Sequence, residues 1–339
     1  VILTFLSLSI MGNNKTSKFD YSSKWSEIDR LMDNPLLKDA QKKVDEIRAT
    51  AKKEKDELNL LRCAIYDYAI DLGCEYNITA DIRNTPRNAN REEGEDIIIK
   101  HYKKASELLQ SFKSPGEKAY TELFMVKMVM NLIDVTDKGP GAISATVDDP
   151  AKKITADDLR EMSFENLRGV IRTHVENIIK NKETLLTIPS EKYNPLLVPN
   201  SKIASLLKSS KRIKSFSATN DVKNLTEEKS FIDIEAFPSV FDVILPDLID
   251  LYYNDEIVIM FVQSLYCPIQ SVKKDLLKTG YLNSIYADVI KYHISHNNYS
   301  AALVSELTRL EYIEDSDEYE KKISSNTKIN ALNDIIKQY

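Results

Sequence analysis

Apolar side chains recur at helical spacing along most of the chain. Trp25, Ile28 and Met32 step by three and then four residues, which puts them on one face of a short first helix. Asn34-Pro35 ends that helix, because proline has no N–H and disfavours the α conformation in the residue before it. A second stripe, Ala40, Val44, Ile47 and Ala51, steps by 4, 3 and 4. The charged run Lys52-Lys53-Glu54-Lys55-Asp56-Glu57 bridges to a third stripe of Leu58, Leu61, Ile65, Ala69 and Leu72. Each stripe is narrow, so none of these helices is expected to be buried all round. Together they need neighbours, which is the logic of a helical-hairpin, tetratricopeptide-like array. An ordinary helical bundle would give the same periodicity.

The pattern lapses and returns further on. Residues 73–95 are polar and turn-rich, with Asn84-Thr85-Pro86-Arg87-Asn88-Ala89-Asn90 at their centre, and read as a loop. A helix resumes from Glu95 to Phe112, with Ile98, Tyr102, Ala105, Leu109 and Phe112 as its buried face. Ser114-Pro115-Gly116 breaks it; Pro115 suits the first turn of the next helix, with Ser114 as cap. That helix carries Tyr120, Phe124, Met128 and Leu132. Its methionines Met125, Met128 and Met130 mark a core helix more often than a partner groove. Residues 136–153 read as a long loop. Thr155 is then placed as the cap of a helix with Asp157 and Asp158 in its first turn, where acidic side chains suit the dipole. Leu159, Met162, Leu167, Ile171, Val175 and Ile178 continue the stripe over two helices broken near Ser163.

Ser190 to Pro199 reads as a loop, and 205–230 as a polar insertion with the basic cluster Lys208, Lys211, Arg212 and Lys214. Pro238 opens another helix with Phe241, Ile244, Leu245, Leu248 and Leu251 on its apolar face and Pro246 as a kink. Residues 256–266 fit helix or strand. The last third returns to helices at Ile285 to Ile294, Tyr299 to Tyr312 and Asp317 to Tyr339, with a tight connection at Ser295 to Asn298.

Composition sharpens this picture. The chain has 339 residues, 42% hydrophobic and 29% charged, enough to bury a sizeable core. Only 8 are glycine, too few for the tight turns of a β-sandwich or a nucleotide-binding loop, so the class is mostly α. A net charge of −6 argues against a general nucleic-acid binder. The opening run Val1 to Gly12 is apolar but too short to span a bilayer. It looks like the hydrophobic core and small-residue end of a secretory signal peptide whose start has been clipped, and polar residues 13–18 follow as a leader. A buried first helix is the rival reading. Cys63, Cys74 and Cys267 are an odd count and imply no disulfide framework; Cys63 falls within a helical apolar pattern and reads as packing.

Motifs that carry chemistry are few. Gly139-Pro140-Gly141 is no phosphate loop, because no Gly-Lys-Ser/Thr follows it. No Gly-x-Ser-x-Gly elbow, His-Glu-x-x-His or Gly-x-Gly-x-x-Gly occurs. The histidines are His101, His174, His293 and His296. The last two stand at i, i+3 near a helix end, a spacing that could put them on one face, but two ligands do not make a zinc site, and a solvated helix terminus is the plainer reading. Asp157-Asp158 and Glu227-Glu228 read as helix-start and surface charges. No catalytic, cofactor or metal residue is assigned.

Several segments, in order, resemble one family. Tyr21-Ser22-Ser23-Lys24-Trp25-Ser26-Glu27-Ile28-Asp29 looks like the start of the mature chain in the large alpha-2-macroglobulin-like proteins of Bacteroides-type bacteria. Asp39 to Ile47 and Ala51-Lys52-Lys53-Glu54 fit that family's second helix. Ile188-Pro189-Ser190-Glu191-Lys192-Tyr193-Asn194-Pro195-Leu196-Leu197 is similar to its Ile-Pro…Tyr…Leu-Leu segment, and Pro238 to Ile244 to its Pro-Thr-Leu-Tyr-Asp stretch. Tyr286 to His293, with Ala302 to Tyr312, looks like its helical pair ending in Leu-x-Arg-Leu-Glu. The resemblance implies the N-terminal helical region that precedes the macroglobulin-type β-domains of an envelope protein that traps proteases. The thioester Cys-x-Glu-Gln does not occur at Cys63, Cys74 or Cys267, so protease trapping is carried to no residue here.

The expected layout is a signal segment and leader at 1–18, a helical repeat-like region at 19–135, a loop plus helices at 136–204, the polar insertion at 205–237 and a helical region at 238–339. The expected role is a non-catalytic scaffold of the periplasm or cell envelope that contacts protein, with no cofactor, no nucleic acid and no membrane span in the mature chain. A stand-alone helical-repeat adaptor is the alternative, its groove lined by some of the 17 tyrosines. An unrecognised hydrolase would need carboxylates or histidines converging from distant segments.

Overall fold

The computed structural model describes residues 19–75, 91–136, 157–197, 235–253 and 272–316. Helix α1 spans Tyr21–Asp33, α2 Leu37–Glu54, α3 Glu57–Glu75, α4 Arg91–Ser111, α5 Pro115–Thr136 and α6 Phe164–Lys180. Short helices α7 (Lys182–Leu186) and α8 (Asn194–Leu197) follow, then α9 (Val240–Tyr253), α10 (Val272–Ser295) and α11 (Tyr299–Ser316). Consecutive helices are neighbours: α1 packs on α2, α2 on α3, α3 on α4, α4 on α5 and α5 on α6, while α10 pairs with α11. The fold is a mostly helical multi-helix array with no strands among the described residues.

Local chemistry sets the boundaries. Asp20 caps α1 by accepting the Ser23 N–H at 3.2 Å. Lys55 turns left-handed (φ 56°) after α2 and its N–H reaches Ala51 O, closing the helix before the next begins. Asp56 then accepts the Asn59 N–H at 3.0 Å and starts α3. Ser239 and Asp242 cap α9 reciprocally: the Ser239 N–H donates to Asp242 Oδ2 at 2.9 Å, and the Asp242 N–H to Ser239 Oγ at 3.3 Å.

The buried residues of α1 are Trp25, Ile28 and Met32, and those of α2 are Ala40, Val44, Ile47 and Ala51, as their stripes require. Inside the array the expected narrow face fails. Every side chain of α3 from Leu61 to Ile70 is buried, and so are most of those of α5. The reason is position: α3 lies against α2, α4 and α5, and ties to α1 through Trp25 and Tyr66, so it has no wet side.

Other expectations move. Helix α4 starts at Arg91, not Glu95. Asp157–Arg160 is a single 3-10 turn, and the cap of the long helix after it is Ser163, whose hydroxyl accepts the Asn166 N–H at 3.2 Å. The stretch read as a loop at Ser190 to Pro199 begins instead as a 3-10 turn (Ser190–Tyr193) running into α8. Distant backbone holds it: Ser190 N–H donates to Pro238 O at 3.0 Å and Val240 N–H to Ile188 O at 2.9 Å, an antiparallel bridge of Pro189 with Ser239. Helix α10 starts at Val272 rather than Ile285, and α11 runs to Ser316. The signal reading of 1–12, the loops around 84–90 and 137–153, the Thr155 cap, the insertion at 205–230, residues 256–266 and the helix at 317–339 lie outside the described residues.

Candidate functional site

The chemistry-bearing side chains converge at helix contacts. On α3 and α4, His101 Nε2 lies 2.7 Å from Asp71 Oδ2, and Lys100 Nζ donates to the same oxygen at 2.7 Å. The His101 hydrogen bond, helped by Lys100, holds the Asp71 carboxyl well below the usual carboxylate range although burial opposes this.

A longer network joins α4, α5 and α6. Tyr102 Oη lies 2.8 Å from His174 Nε2, and His174 Nδ1 is hydrogen-bonded to Glu122 Oε2. Asn177 Nδ2 donates to Glu122 Oε1 at 3.2 Å. A neutral His174 satisfies both contacts with its proton on Nδ1, donating to the carboxylate and accepting from Tyr102. The order carboxylate, imidazole, hydroxyl is that of a nucleophile relay. Here all three side chains are buried, and burial, with Glu122 nearby, pushes the Tyr102 hydroxyl up. A nucleophile needs the opposite shift and an approach for substrate, so the network reads as a tie between three helices.

Two further knots follow. Glu117, at the start of α5, accepts from Tyr193 Oη and from Lys192 Nζ, each at 2.6 Å. Gly116 makes room for this: a Cβ there would stand 2.0 Å from the Tyr193 hydroxyl oxygen. Glu57 of α3 accepts the N–H groups of Lys113 and Ser114 at 2.9 Å each, so it, from a separate helix, supplies the acceptors ahead of α5. On α9, Asp242 Oδ1 meets His293 Nε2 of α10 at 2.8 Å, while Ser239 Oγ donates to Asp242 Oδ2 at 2.6 Å.

The pair His293 and His296 does not share a face. His293 is fully buried against Asp242, whereas His296 is exposed and stacks on Tyr292 with ring centroids 4.1 Å apart. The solvated-terminus reading therefore holds for His296 and fails for His293, which is a core tie. No group of three or more metal-ligating side chains occurs among the described residues. Cys63 is buried, and burial pushes its thiol up to about 12. Tyr66, Tyr68, Tyr102, Tyr120, Tyr193 and Tyr286 are buried at helix contacts instead of lining a groove.

Among the described residues, a groove of about 670 Å³ runs along α10 and α11. Ala287, Ile290 and Ile294 give it an apolar wall, and Lys291, Ser295, Glu306 and Arg309 a polar one. Arg309 Nε donates to Glu306 Oε2 at 2.7 Å, which fixes both side chains across one turn. Glu117 and Glu122 belong to no sequence motif, and Asp242 only to the Pro238 to Ile244 segment of the family resemblance. Their signal was nonetheless there: a carboxylate inside an apolar helical run, such as Glu122 between Tyr120 and Phe124, needs a buried partner.

No protein-family profile matches the chain, and comparisons with curated proteins and with solved structures return no match. No helix among the described residues is long and apolar enough to cross a membrane.

Proposed function

We propose that the chain is a helical scaffold that works by protein contact rather than catalysis, the front module of an alpha-2-macroglobulin-like protein exported to the periplasm or cell envelope. One observation supports the contact role most: three of the four histidines, His101, His174 and His293, are occupied with Asp71, Glu122 and Asp242 in joining one helix to the next. The charged outer face of α2 stays exposed and gives a partner a surface to meet. The family assignment rests on the ordered segments from Tyr21 to Tyr312.

The first test is the reading frame on both sides of the chain. A frame that runs on into β-patterned domains supports the family reading, and saturable binding of the separately produced domains to this chain, followed by calorimetry, then supports the scaffold role. A stop codon directly after Tyr339 overturns the front-module reading. The adaptor reading then stands in its place, favoured by the groove along α10 and α11. Turnover of a panel of peptide and ester substrates that is abolished by His174→Gln in a folded protein would overturn both.

A further inference from the structure

We draw no further inference here: the strongest candidate, the groove along α10 and α11 walled by Ala287, Ile290 and Ile294, is an unpartnered apolar face, and nothing in the structure shows what covers it.

Discussion

Helix α2, packed between α1 and α3 near the outer end of the array, buries Ala40, Val44, Ile47 and Ala51 and turns its lysines and carboxylates to water. Helix α3, one step further in, buries all ten residues from Leu61 to Ile70, including Arg62 and Asp67. Both have similar lengths, and both start beside charged residues. The difference is the number of neighbours. An edge helix can leave a polar side chain solvated, so its burial follows its stripe. An inner helix has no solvated side, so each polar group on it must meet a partner. Asp67 accepts from Gln41 Nε2 at 2.8 Å and from Arg48 at 2.5 Å, and the Arg62 guanidinium lies 4.3 Å above the Trp25 ring. Glu117 and Glu122 on α5 obey the same rule.

The sharpest way to break this contrast is to remove one half of an inner pair. His174→Ala leaves the Glu122 carboxylate and the Tyr102 hydroxyl buried without the imidazole. Breaking a buried pair costs roughly 3–5 kcal/mol, and the urea midpoint should fall accordingly. A loss below about 1 kcal/mol would mean that water reaches Glu122 and that α5 has a wet face after all.

Next comes a lysine placed off the stripe on each helix. Cys63→Lys on α3 puts an unpaired cation at a site with no exposure, away from the Leu61, Ile65 and Ala69 line. It should destabilise by roughly 2–4 kcal/mol, while Ala49→Lys on the exposed side of α2 should stay within about 0.5 kcal/mol. Equal effects would erase the distinction between inner and edge helices. Cys63 itself should resist thiol reagents until the protein unfolds, since burial keeps it protonated.

The stripes of α1 and α2 were legible because period and burial coincide where water covers the other face. The polar ties were not legible, because their partners lie far apart in sequence. Glu122 meets His174 across 52 residues and Glu117 meets Tyr193 across 76. Ser190 to Tyr193 read as loop from its flanking prolines; what orders it is Glu117 from α5 and the backbone of Pro238. Helical periodicity carries no information about such meetings. The groove along α10 and α11 was missed for a related reason: only the pairing of the two helices creates it.

A smaller effect is expected where an inner helix nears the surface. Asp71 on α3 is partly exposed and binds His101 and Lys100. Its folded pKa lies below its unfolded value, so its contribution is present above about pH 4 and is lost as pH falls from there. Asp71→Asn should lower stability by roughly 1.5 kcal/mol at neutral pH. The gap between wild type and variant should narrow below about pH 4 in thermal melts. A gap that widens on acidification would contradict the depressed carboxyl.

The least effect is expected at the outer face of α2. Lys42 and Asp39 pair at 2.9 Å with side chains 75% and 56% exposed. Such a pair is screened by salt and costs side-chain entropy, so Lys42→Ala should change stability, read from the urea midpoint, by no more than about 0.5 kcal/mol, at low salt and at high salt alike. The two helices would then differ as the burial pattern says: α2 tolerates change except along its stripe and at Gln41 and Arg48, which pair with Asp67, and α3 tolerates it nowhere between Leu61 and Ile70. A loss near 1 kcal/mol, persisting in high salt, would mean that the outer face of α2 is covered rather than solvated. In that case α2 is an inner helix too.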